Sequence, residues 1–100
     1  MATLQELSLW YGRAPWPANI GDRVGGAVLA ELDDEVQDVT GSYSGMGAAV
    51  GAWRVARLGL ALGEITRVLP DMRPPATQAY FAQVAALARA ALAEIAAGEA

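Results

Sequence analysis

The sequence contains no cysteine, no histidine and no lysine. Without cysteine there is no thiol nucleophile, no disulfide, no iron–sulfur cluster and no thiolate zinc site. Without histidine there is no Ser–His or Cys–His catalysis, and the commonest transition-metal ligand is missing. Without lysine there is no Schiff base and no phosphate-loop lysine. Aromatic residues make up only 7%. Any catalysis would rest on carboxylates, arginines, hydroxyls or the backbone.

What is present is alanine, arginine and acid. The chain has 100 residues, 54% of them hydrophobic and 22 of them alanine. All seven bases are arginines, set against 11 acids for a net charge of −4. Such a composition follows from a GC-rich coding sequence, and a bacterial source is expected. One hundred residues make one domain with a single modest core. The negative charge disfavours nucleic acid, whose binding needs cations to displace counterions. No basic flank leads into an apolar run at the start, so no signal peptide is expected. The longest apolar region, residues 45–69, carries Arg54, Arg57, Glu64 and Arg67, too many charges for a membrane span. A soluble, cytoplasmic protein is expected.

Turn signals divide the chain. Thr3-Leu4-Gln5-Glu6 has the form of a capping box and opens a short helix over residues 4–11, stopped by Gly12. Ala14-Pro15-Trp16-Pro17 is extended, because proline pushes its predecessor out of the helical region. Asn19 is a good N-cap for a second helix over residues 20–39, with Asp22 in its first turn. On it Val24, Val28, Leu29, Leu32, Val36 and Val39 share one arc, and Gly25-Gly26 costs about 1 kcal/mol per glycine. A loop over residues 41–45 leads to a third helix over 46–69, which Ser42 or Ser44 can cap and Pro70 ends. A Pro-rich turn precedes a fourth helix over 75–97, closed by Gly98. Its face comprises Tyr80, Phe81, Val84, Leu87, Ala88, Ala91, Leu92 and Ile95. No strand-like alternation and no repeat is present. The expected fold is all-α and a single domain over 1–100. It is an antiparallel, self-associating bundle of three long helices (19–97), preceded by a short helix and a Pro/Trp arm (1–18).

Four features bear on function. The first is an acidic block of Glu31, Asp33, Asp34, Glu35 and Asp38. Asp33 points elsewhere on the wheel, while the other four share an arc of roughly 100°. Like charges at i,i+3 and i,i+4 repel by a few tenths of a kcal/mol. The block is open to three readings: a solvated face, a surface for the arginines of another helix or subunit, or a Mg²⁺ or Mn²⁺ site of Glu31, Asp34, Glu35 and Asp38. Charge segregation favours arginines, with six acids and one arginine over 21–40 but three arginines and one glutamate over 41–70. Glu31-x-x-Asp34 and Glu35-x-x-Asp38 also resemble half the metal pattern of the all-α NTP pyrophosphohydrolases of the MazG type. That resemblance implies Mg²⁺ held against a nucleotide's phosphates. The following helix offers only Glu64 towards the other half.

The second feature is a glycine row, Gly47, Gly51, Gly59 and Gly63, flanked by Ala48, Ala52 and Ala56. Glycine weakens a helix, so the row needs a reason. Close packing within the chain, a helix–helix interface and a ligand slot all supply one. The third feature is the rest of that helix, where Val50, Trp53, Leu60 and Val68 lie among Arg54, Arg57, Glu64 and Arg67. A helix apolar nearly all round is buried on several sides, and four helices of this size enclose one with difficulty. Trp53 with Arg57 one turn on has the composition of an interface hot spot. A tryptophan covered by the arginine stem within one chain fits equally. The fourth is Trp10-Tyr11-Gly12 with Trp16. Trp-x-Gly resembles the small WXG-type secretion substrates, but those carry it at the central turn, and here residues 41–45 hold no tryptophan. Tyr80 is followed four residues later by Val84 rather than by an acid. Trp10 and Trp16 are expected to fold over one end of the bundle.

These features point to a non-enzymatic assembly or adaptor protein that pairs with itself or another helical protein. Its interface is expected to use Trp10, Trp16, Gly47, Gly51, Trp53, Arg54, Arg57, Gly59, Leu60 and Gly63. No catalytic residues and no cofactor are expected. The alternatives are a Mg²⁺-dependent pyrophosphohydrolase-like enzyme and a small-molecule binder with an apolar pocket near Trp53.

Overall fold

With no glycine or proline between residues 76 and 97, the C-terminal segment forms the longest helix and the centre of the fold. The computed structural model describes residues 4–13, 23–46 and 51–99. Four helices appear among them: α1 (Leu4–Arg13), α2 (Leu29–Met46), α3 (Ala52–Val68) and α4 (Pro75–Glu99). A hairpin of two short strands, β1 (Arg23–Val24) and β2 (Ala27–Val28), precedes α2, and a 3₁₀ turn (Leu69–Asp71) follows α3. The architecture is an all-α bundle in which α4 packs against α1, α2 and α3, and α2 against α3.

The core follows the apolar faces. Phe81, Val84, Leu87, Ala88, Ala91 and Ile95 of α4 are fully enclosed, with Tyr80 nearly so and Leu92 half-buried. Leu58, Ala61, Ile65 and Val68 of α3 meet them, with Leu29, Val36 and Val39 of α2 and Met72 of the turn. A buried aliphatic or aromatic side chain contributes about 1.5–3 kcal/mol, so this cluster dominates stability. Over Pro75–Ala97 α4 is also long and apolar enough to cross a membrane, with a mean hydropathy of 1.2. Here those residues supply the core.

Two boundaries depart from expectation. The segment expected to begin a helix at residue 20 is a hairpin from Arg23 to Val28, pairing Arg23 with Val28 and Val24 with Ala27. Gly25 and Gly26 have φ of +55° and +83°, the left-handed values that a two-residue hairpin turn requires. What costs stability in a helix is favoured in that turn. Val24 and Val28 match a helical i,i+4 spacing, but in the hairpin each pairs with a different residue, Val24 with Ala27 and Val28 with Arg23. The hairpin sits on the C-terminal end of α3. A Cβ on Gly25 would lie 3.0 Å from Val68, and Arg67 donates to the Gly25 carbonyl at 3.0 Å. The proposed cap Asn19 lies outside the described residues, as do Thr3, Trp16 and Gly47.

The second departure is at the α2–α3 junction. The expected stop at Thr40-Gly41 is passed, and α2 continues to Met46. Thr40 is buried and donates to the Val36 carbonyl at 2.7 Å, so its hydroxyl is satisfied within the helix. Gly51 precedes α3 with a φ of +94°, which suits glycine and disfavours other residues. Consequently α3 starts at Ala52 rather than at Met46. α1 likewise runs past Gly12 to Arg13, and α4 past Gly98 to Glu99.

The glycines divide by sign. Gly25→Ala should destabilise by about 1–2 kcal/mol, from positive φ and the Val68 contact. Gly59→Ala adds a Cβ that meets nothing and should stabilise by about 0.5–1 kcal/mol. Urea denaturation in dilute solution measures both; equal signs would contradict the assignment.

Candidate functional site

Two constellations occupy opposite sides of α2. At one side α1 is pinned to the bundle through Asp33. The Tyr11 hydroxyl lies 2.8 Å from Asp33 Oδ1 and 3.0 Å from the Asp33 carbonyl, and the Tyr80 hydroxyl donates to the same Oδ1 at 2.8 Å. A single carboxylate oxygen thus joins α1, α2 and α4. Trp10 covers it, its ring centroid 6.1 Å from Tyr11 and 5.6 Å from Tyr80, and Tyr80 meets Phe81 edge-on at 5.2 Å. Burial first, then the hydrogen bond to Asp33 and its negative charge, push both phenols well above their ordinary pKa. The expectation that Trp10 folds onto the bundle is met at Tyr80. Asp33 was set aside on the helical wheel, although the wheel held the signal. At 100° per residue Asp33 lies 20° from Thr40 and 40° from Leu29, at the edge of the buried face. An acid there needs hydroxyl or cationic partners.

At the other side, Glu35 of α2 accepts from Arg57 of α3. The second Glu35 oxygen is enclosed without a hydrogen-bond partner. Arg57 and Arg54 lie over the Trp53 ring, at 5.2 and 4.7 Å from its centroid. Two turns on from Arg57, Glu64 is held by Arg67 at 2.8 Å, which keeps that carboxyl below its usual pKa. Arginines of the neighbouring helix therefore do meet the acidic block, at Glu35. Glu31, Asp34 and Asp38 are exposed. Among the described residues no three carboxylates converge to hold a metal ion.

Among the described residues, the glycines of the row show no close approach between helices; Gly47 lies outside them. Gly51 has a positive φ at the start of α3, and Cβ atoms on Gly59 and Gly63 would have no described residue within 4 Å. Both lie on the outward face of α3. Ala52, Ala56, Thr66 and Arg67 are exposed on that face, as are Trp53 at 56% and Leu60 at 73%. The core takes Leu58, Ala61, Ile65 and Val68 from the opposite face. A groove of about 230 Å³ runs beside it, lined by Leu32, Glu35, Arg57, Leu60, Ala61 and Glu64. Of its charged groups, Glu35 pairs with Arg57 across the groove and Glu64 with Arg67 beside it. A second groove of about 460 Å³ borders the Pro-rich turn. Its one polar side chain, Gln78, donates to the Leu69 carbonyl.

No family model, no curated protein and no solved structure matches the chain.

The Asp33 knot makes two predictions. Asp33→Ala should cost about 2–3 kcal/mol, from two hydrogen bonds to a charged acceptor, whereas exposed Asp34→Ala should stay within about 0.5 kcal/mol. Because both phenols hold their protons more tightly folded than unfolded, their contribution is whole below their unfolded pKa of about 10 and falls as pH rises above it. Without lysine or cysteine the alkaline limb belongs to tyrosine. Tyr11→Phe/Tyr80→Phe should flatten it in pH-dependent melting; an unchanged limb would contradict the assignment.

Proposed function

We propose that this chain is a non-enzymatic helix–helix association protein, whose working surface is the outward face of α3 and whose partner is itself or another helical protein. The observation that carries this reading is one face on which Trp53 and Leu60 stand exposed beside Gly59 and Gly63, where a Cβ would meet no described residue within 4 Å. Each glycine costs α3 about 1 kcal/mol relative to alanine, and no packing among the described residues offsets that. A helix surface without side chains allows another helix to approach closely. Trp53 under two arginines matches the residue types that carry interface energy, and Arg57, Glu64 and Arg67 form a charged rim.

The test is Leu60→Glu. Leu60 makes little contact within the chain, so the variant should melt within about 0.5 kcal/mol of the parent. Its association should be lost, read as mass by light scattering and as retention of a defined partner on the immobilised chain. Equal association by parent and variant would overturn the assignment to this face.

A further inference from the structure

The outward face of α3 has a pattern that specifies its own complement, an inference that rests on the association reading above. Trp53, Ala56, Leu60 and Gly63 follow one another at spacings of three, four and three, the seam of a two-helix contact. Large and small residues alternate along it, with Trp53 and Leu60 at one seam position and Ala56 and Gly63 at the other. In an antiparallel pair these two positions face each other. The register that sets Leu60 opposite Ala56 also sets Trp53 opposite Gly63, and each match occurs twice about one two-fold axis. A self-complementary patch of this kind is what an isologous dimer requires. A parallel pair would set Leu60 against Leu60 and leave glycine against glycine.

The flanks agree. On one side lie Arg57 and Glu64, seven residues apart and of opposite charge. Side chains lean towards the N-terminus of their helix. In the antiparallel register Arg57 of one chain and Glu64 of the other therefore lean towards each other. Each already has a partner within its chain, Glu35 for Arg57 and Arg67 for Glu64. The cross-pair would link these into one alternating row of four charges. On the other side lie Ala52, Gly59 and Thr66, small enough for the axes to approach to about 8 Å.

We propose that a second copy of this chain covers α3, the two α3 helices running antiparallel with Trp53 and Leu60 of each seated on Gly63 and Ala56 of the other. With 17 residues in α3, the contact is about 25 Å long at 1.5 Å per residue. That is short beside a standard interface, which buries about 800 Å² per partner. The contact therefore belongs with weak, reversible interfaces.

The test uses the full chain, whose lack of cysteine makes engineered ones unique. Sedimentation should show a reversible monomer–dimer equilibrium. Glu64→Arg should weaken it several-fold and Leu60→Glu at least tenfold, both with circular dichroism unchanged. Chains carrying Ala56→Cys, mixed with chains carrying Leu60→Cys, should form the mixed disulfide faster than either forms with itself. Faster like-with-like coupling would overturn the antiparallel register. A strict monomer to millimolar concentration would overturn self-pairing, while leaving α3 available to another helix. A dimer indifferent to Leu60→Glu would overturn both this pairing and the association reading.

Discussion

One carboxylate oxygen holds three helices in register. Asp33 Oδ1 takes the hydroxyls of Tyr11 and Tyr80, so α1, α2 and α4 meet at a point. The partners are phenols, held protonated by burial and by the charge they face. A carboxylate with neutral donors fixes geometry directionally without spending an arginine. The chain's few arginines are thereby left for the other side of α2.

The division of labour follows from that. α4 is committed to the core, and α2 carries its buried face between the Asp33 knot on one flank and the Glu35–Arg57 pair on the other. α3 is divided, with one side buried and the other an open strip of alanine, glycine, Trp53 and Leu60. Its buried residues lie at the spacing of one helical stripe, 58, 61, 65 and 68. The apolar residues beyond that stripe have no place to go inside four helices. Excess apolar surface on one helix, rather than a cavity or a carboxylate cluster, is the feature on which the proposed association rests.

Much of this architecture was legible. The α4 face was readable because eight apolar positions repeat at helical spacing from Tyr80 to Ile95, and the existence and order of the helices came from the same periodicity. The hairpin was not, because Val24 and Val28 fit the helical spacing that continues through Val36, two-residue strands are too short to show alternation, and only the Gly25-Gly26 pair argued for the turn. The junction was missed because Gly41, Gly45 and Gly51 are equivalent as letters. Thr40 could satisfy its hydroxyl inside the helix, and the positive φ fell to Gly51.

The sequence by itself determined the all-α class, the buried face of α4, the attraction between an acidic α2 and a cationic α3, and the exclusion of thiol, imidazole and amine chemistry. These are properties of composition and of period, which neighbours along the chain set. Only the tertiary structure decided that Asp33 faces two tyrosines 22 and 47 residues away, that Glu35 is the acid that meets Arg57, and that Gly59 and Gly63 look outward. Each depends on which side of a helix another segment covers. That choice is made by the whole core at once, because every helix has more apolar surface than any single neighbour can bury.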